Sequence, residues 1–433
     1  MWRVYRIELR RSPLLAVLPV LLAVDMLVLF GRQRYWIGVW PEASAAAQVV
    51  TLFLGTVLAA VSAWQAGRGS RAGMPEAVLG AARPGWQVES MRLAATLTLG
   101  FAAYGSGCAV AAAVSFPDAG PGFLWPSYLL LGAATLVVFA AAGHLAGRFW
   151  PSPAFTPVLA GVGGFLLMLG VGDPWGWSAL SGAPDQMLRP GRVAVRVAFA
   201  LALAALAVLV PHPRRRSGGL PRPRSTVAGR LAVLAAAAAS LATLAGVAVS
   251  SEIQVERPST AVEPLCRKAG ADAPRVCVWP EHRRYLPELT AMADRLSRIP
   301  QDWVRTPETF REFGLRRTRL GDAGFDITEG HVRTAAIAMA VEVSRQSFGD
   351  CRIPGGDERG WRASDRIDLW LEYRAMGVDP GEADDGLHMS GAEGAQGSAR
   401  RIVRATEADQ RAWTSRQRAV LARSLRGCGE QGE

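Results

Sequence analysis

The sequence predicts an all-α polytopic membrane domain followed by a mainly α-helical extracytoplasmic domain. Three observations support this: seven long apolar runs before residue 251, many arginines between those runs, and four cysteines in a more polar second half. Residues 1–250 hold 20 Arg and 8 acidic residues, a net charge of +12, whereas residues 251–433 hold 28 basic and 29 acidic residues, a net charge of −1. The basic excess therefore belongs to the apolar half, which is typical of a membrane protein and speaks against nucleic-acid binding.

Each apolar run is long enough, or nearly so, to cross a bilayer core of about 30 Å, which takes about 20 helical residues. The predicted spans lie near residues 13–30, 45–64, 93–115, 127–147, 154–171, 193–210 and 230–250. The fifth and sixth are short, and glycines interrupt the fifth. A single short run also fits a buried core helix, but seven in succession favour a transmembrane domain over residues 13–250, with the lipid bilayer as its surroundings.

The arginines predict the orientation of the spans, because short cytoplasmic loops are enriched in Lys and Arg. With the N-terminus in the cytoplasm, 15 arginines of the first 250 residues fall on the inner side and 5 on the outer side. The loop 211–225, PHPRRRSGGLPRPRS, is the strongest marker of the inner side. Seven spans then place residues 251–433 outside the plasma membrane as an extracytoplasmic domain.

The cysteines of this outer domain would lie in an oxidising compartment, where an even number predicts two disulfides. Cys266, Cys277, Cys351 and Cys428 allow three pairings. Pairing of Cys266 with Cys277 is preferred because a short loop closes at low entropic cost, which leaves Cys351 for Cys428. Cys108 lies in the third span, where a small apolar packing residue is expected.

The outer domain is predicted to be mostly helical. Apolar spacing and N-cap signals predict helices over residues 280–299, 306–313, 328–348, 364–376 and 406–427, a small hairpin over 314–327 and a mobile loop over 377–400. His282 and His331 sit at helix starts, but neither H-E-x-x-H nor G-x-S-x-G occurs in the chain. A structural role is therefore favoured for both histidines, and no catalytic residue, metal or cofactor is predicted.

Asp25 and His144 are the main ionisable residues inside the predicted spans. Such groups are costly in lipid and indicate functional sites, each with a partner. Asp25 lies toward the outer end of the first span, where Arg32 or Arg34 could reach it. His144 lies near the inner end of the fourth span and could also simply reach the interface.

One stretch points to a known family. The segment RGSRAGMPEAVLGAARPGWQVESMRLAA resembles the cytoplasmic loop of actinobacterial (Streptomyces-type) ABC-type export permeases, on the matching positions Glu76, Leu79, Arg83 and Pro84. In that family the loop is the coupling helix against a separate ATPase subunit. The opening MWRVYRIELRRSPLLAV is similar to the family's amphipathic elbow helix, here residues 1–12. The resemblance implies an ABC ATPase as partner and a homodimer.

The chain departs from the family's usual six spans by a seventh span and the outer domain. It also has no G-x-x-x-x-G-K, and its only lysine, Lys268, lies in the outer domain, so any ATPase must be another polypeptide. Three functional hypotheses remain at this stage. The chain is a permease subunit of an ABC-type transporter, a non-transporting membrane anchor for an outer binding or sensing domain, or a membrane enzyme with an unrecognised site. The first is preferred.

Overall fold

The computed structural model describes residues 2–31, 36–71, 85–169, 177–211, 227–250, 252–315, 324–348, 357–377 and 393–424. The chain divides into two compact units. One comprises Met1–Asp118 with Gly122–Val255 and is called the membrane unit. The other comprises Ala119–Pro121 with Glu256–Glu433 and is called the outer unit after its predicted location.

The membrane unit is built from helices. They are α1 (Trp2–Arg10), α2 (Leu14–Phe30), α3 (Trp40–Arg71), α4 (Gly85–Ser115), α5 (Pro126–Phe149), α6 (Phe155–Leu169), α7 (Pro190–Leu209) and α8 (Val227–Val249). Five helices are long and apolar enough to cross a membrane, and a sixth span results if α1 and α2, bent by 61°, count as one. The chain is thus an all-α membrane protein, as predicted. Helix α6 has only 15 residues, and the count of seven spans stays a prediction.

The helix boundaries follow local signals. Helices α5 and α7 each begin with a proline, Pro126 and Pro190, which has no N–H to leave unsatisfied in the first turn. Two short strands, β1 (Gln186–Leu188) and β2 (Gln254–Glu256), pair near the start of α7. The predicted spans agree with the observed helices within a few residues at most ends, but α3 and α4 extend well beyond theirs.

Small residues bring α3 and α5 into close contact. A Cβ atom on Gly143 would overlap the Ala59 carbonyl oxygen, and one on Gly147 would overlap the Ala63 carbonyl oxygen. The glycines and the alanines are each four residues apart, so both pairs lie on one helix face and the two helices run parallel. In a bilayer, where apolar side chains gain little by leaving lipid, such backbone-to-backbone packing holds helices together.

The outer unit combines helices with a small sheet. Strand β4 (Arg275–Val278) lies between β3 (Leu265–Arg267), which is antiparallel to it, and β5 (Thr309–Arg311), which is parallel. The helices are α9 (Leu286–Ser297), α10 (Val332–Phe348), α11 (Glu358–Met376), α12 (Glu393–Val403) and α13 (Glu407–Ser424). Trp370 of α11 is fully buried, lies 6.2 Å from Trp413 of α13, and donates its Nε1–H to Gln410.

Two sequence-based expectations for the outer unit were wrong. Residues 306–313 do not form a helix, because Phe310 is 3% exposed and pairs beside Val276 as part of β5. The local N-cap signal at Thr306 is overridden by this long-range pairing. Most of the expected hairpin, residues 316–323, lies outside the described residues, and beside it Glu312 and Phe325 form a parallel bridge. The end of the expected loop at 377–400 is helical, because α12 begins at Glu393.

One of the two predicted disulfides lies within the described residues. Cys266 and Cys277 are directly opposite one another on β3 and β4 and form a disulfide. Cys351 and Cys428 lie outside the described residues. Cys108 is a free thiol in α4.

Candidate functional site: a buried ionic network in the membrane unit

Five ionisable side chains from four helices form a continuous buried network, called here the ionic network. Arg92 donates from Nε to Glu8 Oε1 at 3.4 Å and from Nη1 to Glu89 Oε1 at 3.0 Å. Arg68 Nη2 reaches the other oxygen of Glu8 at 2.9 Å. His144 Nε2 lies 3.0 Å from Glu89 Oε2. The chain of contacts therefore runs from α3 through α1 and α4 to α5.

The sequence places these groups where they can meet. Glu89 and Arg92 are three residues apart on α4, so they share one helix face. Glu8 is the buried residue of α1, whose remaining surface includes the exposed apolar side chains of Trp2 and Ile7. Pairing is required here because a buried charge without a partner costs several kcal/mol. The network thus fixes α1 against the bundle.

Neutral polar side chains continue the network toward the middle of the bundle. Gln65 of α3 donates to Ser12 Oγ at 2.9 Å and accepts from Thr96 Oγ1 of α4 at 3.0 Å. Ser12 also accepts the N–H of Leu14, the first residue of α2. The amide and hydroxyl groups therefore join the start of α2 to the same two helices.

The structure brings together only part of what the sequence suggested. His144 does have an acidic partner, Glu89, rather than reaching the interface alone. Glu89 was not among the predicted site residues, although a Glu-x-x-Arg pair just before an apolar run is a recognisable signal. Asp25 is buried in α2, but its suggested partners Arg32 and Arg34 lie outside the described residues.

The coupling residues expected from the resemblance, Glu76, Leu79, Arg83 and Pro84, also lie outside the described residues. The segment that contains them is nevertheless bounded by described helices, since α3 ends at Arg71 and α4 begins at Gly85. Members of the ionic network thus stand close in sequence to both ends of this segment.

Polar contacts also join helix ends at the opposite end of the membrane unit. Gln48, near the start of α3, donates to the Trp177 carbonyl and accepts from the Ala179 N–H, both at 3.0 Å. Arg196 near the start of α7 is fully buried and donates to the Ser250 carbonyl at 2.8 Å. These bonds place the segment after residue 177, the start of α7 and the end of α8 at the same end as the start of α3.

The outer unit has its own buried polar groups. Glu312 accepts from the Trp279 N–H at 2.8 Å and contacts His282 Nδ1 at 2.5 Å. Arg333 and Glu372 form an ion pair at 2.6 Å between α10 and α11. These pairs satisfy one another within the core, as expected of structural groups. In the described part of the chain, no cluster of three or more His, Cys, Asp or Glu side chains could hold a metal ion.

One outer-unit carboxyl has a strongly altered proton affinity. Burial in α11 raises the pKa of Asp368 from 3.8 to about 7. The Ser344 and Ser364 hydroxyls lower this pKa and the Asp365 charge raises it, but burial is the largest cause. Its Oδ1 atom has no hydrogen-bond partner. The ionised form is therefore poorly accommodated in the folded unit.

Comparison with known proteins adds one finding. Residues 276–424 match the model of a family described as "Domain of unknown function (DUF7224)". This similarity lies within the outer unit, from the start of β4 to the end of α13. No curated protein and no solved structure shows a match to the chain.

Proposed function

We propose that the chain is the membrane subunit of an ABC-type transporter and works with a separate ATPase. The observation that carries this proposal is the position of the ionic network. Arg68 precedes, and Glu89 and Arg92 follow, the segment that contains the expected coupling residues. Glu8 bonds to both sides of that segment. A force applied to residues 72–84 would therefore act on α3 and α4 together.

The contacts of the ionic network would transmit this force to further helices. Glu89 connects α4 to His144 of α5, and Gln65 connects α3 to the start of α2 through Ser12. Five helices would thus respond as one body to a partner at this end. A passive anchor has no need for buried charges, which reduce stability unless each is paired. The ionic network therefore favours a subunit that transmits movement.

The helix contacts support seven crossings. The Trp125 N–H donates to Ser44 Oγ, which places the start of α5 beside the start of α3. Arg148 at the end of α5 donates to the Ala207 carbonyl at the end of α7, so α5 and α7 run in the same direction. Between them, only α6 is available among the described helices to return the chain to the end where Trp177 lies. Its 15 residues span about 22 Å, so a crossing needs the adjoining residues as well.

Seven crossings with the arginine bias give the orientation. The α1 end, with the ionic network, is then cytoplasmic, where an ATPase could bind. Residue 253, whose carbonyl accepts from the Arg189 N–H, lies at the opposite end, so the outer unit is extracytoplasmic. The Cys266–Cys277 disulfide agrees with an oxidising compartment.

A second candidate is a membrane anchor that does not transport. The family match at residues 276–424 lies in the outer unit, and in this candidate that unit is the functional part, a binding or sensing domain that the membrane unit presents. The two candidates differ in whether a cytoplasmic ATPase binds the chain.

Affinity purification of a tagged copy from its native membranes in mild detergent tests the proposal. We expect an ABC ATPase to co-purify in stoichiometric amount with two copies of this chain, and to be lost from the double variant Glu76→Ala, Arg83→Ala. The matched control is Glu263→Ala, Arg267→Ala, which removes the same charges from the outer unit and should retain the ATPase. Recovery of the chain without any ATPase, or with an envelope protein alone, would favour the anchor.

A further inference from the structure

Asp25 is the buried carboxyl of the membrane unit that no described residue pairs. It is the single charged residue of α2, in the sequence LLAVLPVLLAVDMLVLF, and it is 1% exposed. Neither Oδ1 nor Oδ2 has a hydrogen-bond partner, and no described cation forms an ion pair with it. This contrasts with Glu8 and Glu89, whose carboxylates are both matched by arginines.

The surroundings of Asp25 are built to admit a carboxyl group. A Cβ atom on Gly107 of α4 would lie 2.7 Å from Oδ2 and 3.1 Å from Oδ1, so a larger residue there would force the carboxyl group to move. From α4, Tyr104 and Cys108 are the titratable groups that interact with it. The Tyr104 hydroxyl donates to the Leu129 carbonyl at 3.3 Å. Helix α3, which also packs on α2, has no ionisable residue between Glu42 and Arg68.

We propose that Asp25 is a proton-binding site of the membrane unit and holds its proton when α2 lies against Gly107. An ionised carboxylate buried without a cation or donors costs several kcal/mol, whereas a neutral carboxylic acid costs far less. A metal cation is a poorer ligand for this place, because hard cations require several oxygen ligands and one carboxyl supplies two. The ligand is therefore a proton, bound by the carboxylate to give the acid.

Proton binding at Asp25 has a mechanical consequence. The ends of α2 are held, since Ser12 accepts from Gln65 and the Trp36 indole N–H donates to the Leu29 carbonyl at 2.7 Å. Release of the proton would leave a charge in the α2–α4 contact and drive that part of α2 away from Gly107, toward water or a counter-ion. The protonation state of Asp25 and the packing of α2 are therefore coupled.

Carbodiimide labelling of the full-length protein in its membrane tests this site. A protonated carboxyl adds to a carbodiimide to give an O-acylisourea, which rearranges to a stable N-acylurea without another reactant. Cleavage after Arg11 and Arg32 releases a peptide whose single acidic residue is Asp25, so an adduct on it is unambiguous. We expect the apolar reagent dicyclohexylcarbodiimide to label this peptide, and a water-soluble carbodiimide to label the 80% exposed Glu358 side chain instead.

The pH dependence gives the quantitative outcome. Above the pKa of Asp25 the adduct yield should fall about tenfold per pH unit, as the protonated fraction does, and Asp25→Asn should give none. Infrared difference spectra of wild type minus Asp25→Asn provide a readout that needs no reagent access. A carboxylic-acid C=O band at pH 7 supports the proposal. A carboxylate band in its place, or labelling of Asp25 by the water-soluble reagent, would overturn it. Neither result depends on whether an ATPase binds.

Discussion

Replacement of Asp368 by asparagine should remove a pH-dependent instability of the outer unit. Burial raises the pKa of this carboxyl from its ordinary value of 3.8 to about 7 in the folded chain. Below pH 3.8 both states are neutral and the group is without effect. Between pH 3.8 and 7 the unfolded chain loses the proton while the folded chain keeps it, so stability falls as pH rises. Above pH 7 both are ionised and the loss is complete.

The size of the loss follows from the shift. About three pKa units at 1.36 kcal/mol each give about 4 kcal/mol for the folded unit above pH 7. The slope is about 1.4 kcal/mol per pH unit in the interval between the two pKa values. Asparagine is neutral throughout and nearly isosteric, so Asp368→Asn lacks this slope and is expected to be the more stable protein at pH 8.

Hydrogen exchange measured by mass spectrometry on α11 peptides of the intact protein in detergent reports this free energy at pH 5, 6, 7 and 8, after correction for intrinsic exchange rates. The matched control is Asp365→Asn, an exposed carboxyl one helical turn earlier, which should leave most of the slope in place. The comparison of slopes isolates Asp368 from other titrating groups. Equal slopes in wild type and Asp368→Asn would refute the reasoning.

Three further changes test the packing. Gly143→Ala should lower the stability of the membrane unit in detergent by about 1–3 kcal/mol, measured by thermal unfolding, because its methyl group collides with the α3 backbone. Gly105→Ala should be neutral or slightly stabilising, because no heavy atom lies within 4 Å of the added carbon. Equal effects of the two variants would contradict the contact. The double variant Cys266→Ala, Cys277→Ala should destabilise the outer unit by about 3 kcal/mol, because the disulfide no longer closes the short loop between these residues. Hydrogen exchange measures the loss, and unchanged exchange would show that the disulfide does not stabilise the unit. Arg196→Met should cost about 2 kcal/mol in the same thermal assay, because it leaves the partly buried Ser250 carbonyl without its hydrogen-bond donor. An unaltered melting temperature would argue that the bond is unimportant.

Local patterns predicted most of the helices. Apolar runs, prolines at helix starts and N-caps depend on neighbouring residues, so α5 was expected at 127–147 and found at Pro126–Phe149. The same logic failed at Phe310, where a residue distant in sequence, Val276, decides that the chain is a strand. It also missed α12, because the composition of residues 377–400 is that of a loop.

The candidate site was only half visible in the sequence. Asp25 and His144 stood out because each is a lone ionisable residue in an apolar run. Glu89, which joins His144 to Arg92, did not stand out in this way. Its role depends on the packing of α4 between α1 and α5, which the sequence does not show.

The sequence by itself therefore determined that this is a membrane protein, where most of its helices lie and which of its residues are unusual. Those properties follow from the cost of exposing apolar side chains to water and from local backbone signals. Only the tertiary structure decided which charges are compensated. Arginines compensate Glu8 and Glu89, and Asp25 faces the bare backbone of Gly107. The free energy of a buried charge depends on atoms within a few ångströms, and the helices that supply those atoms are distant in sequence.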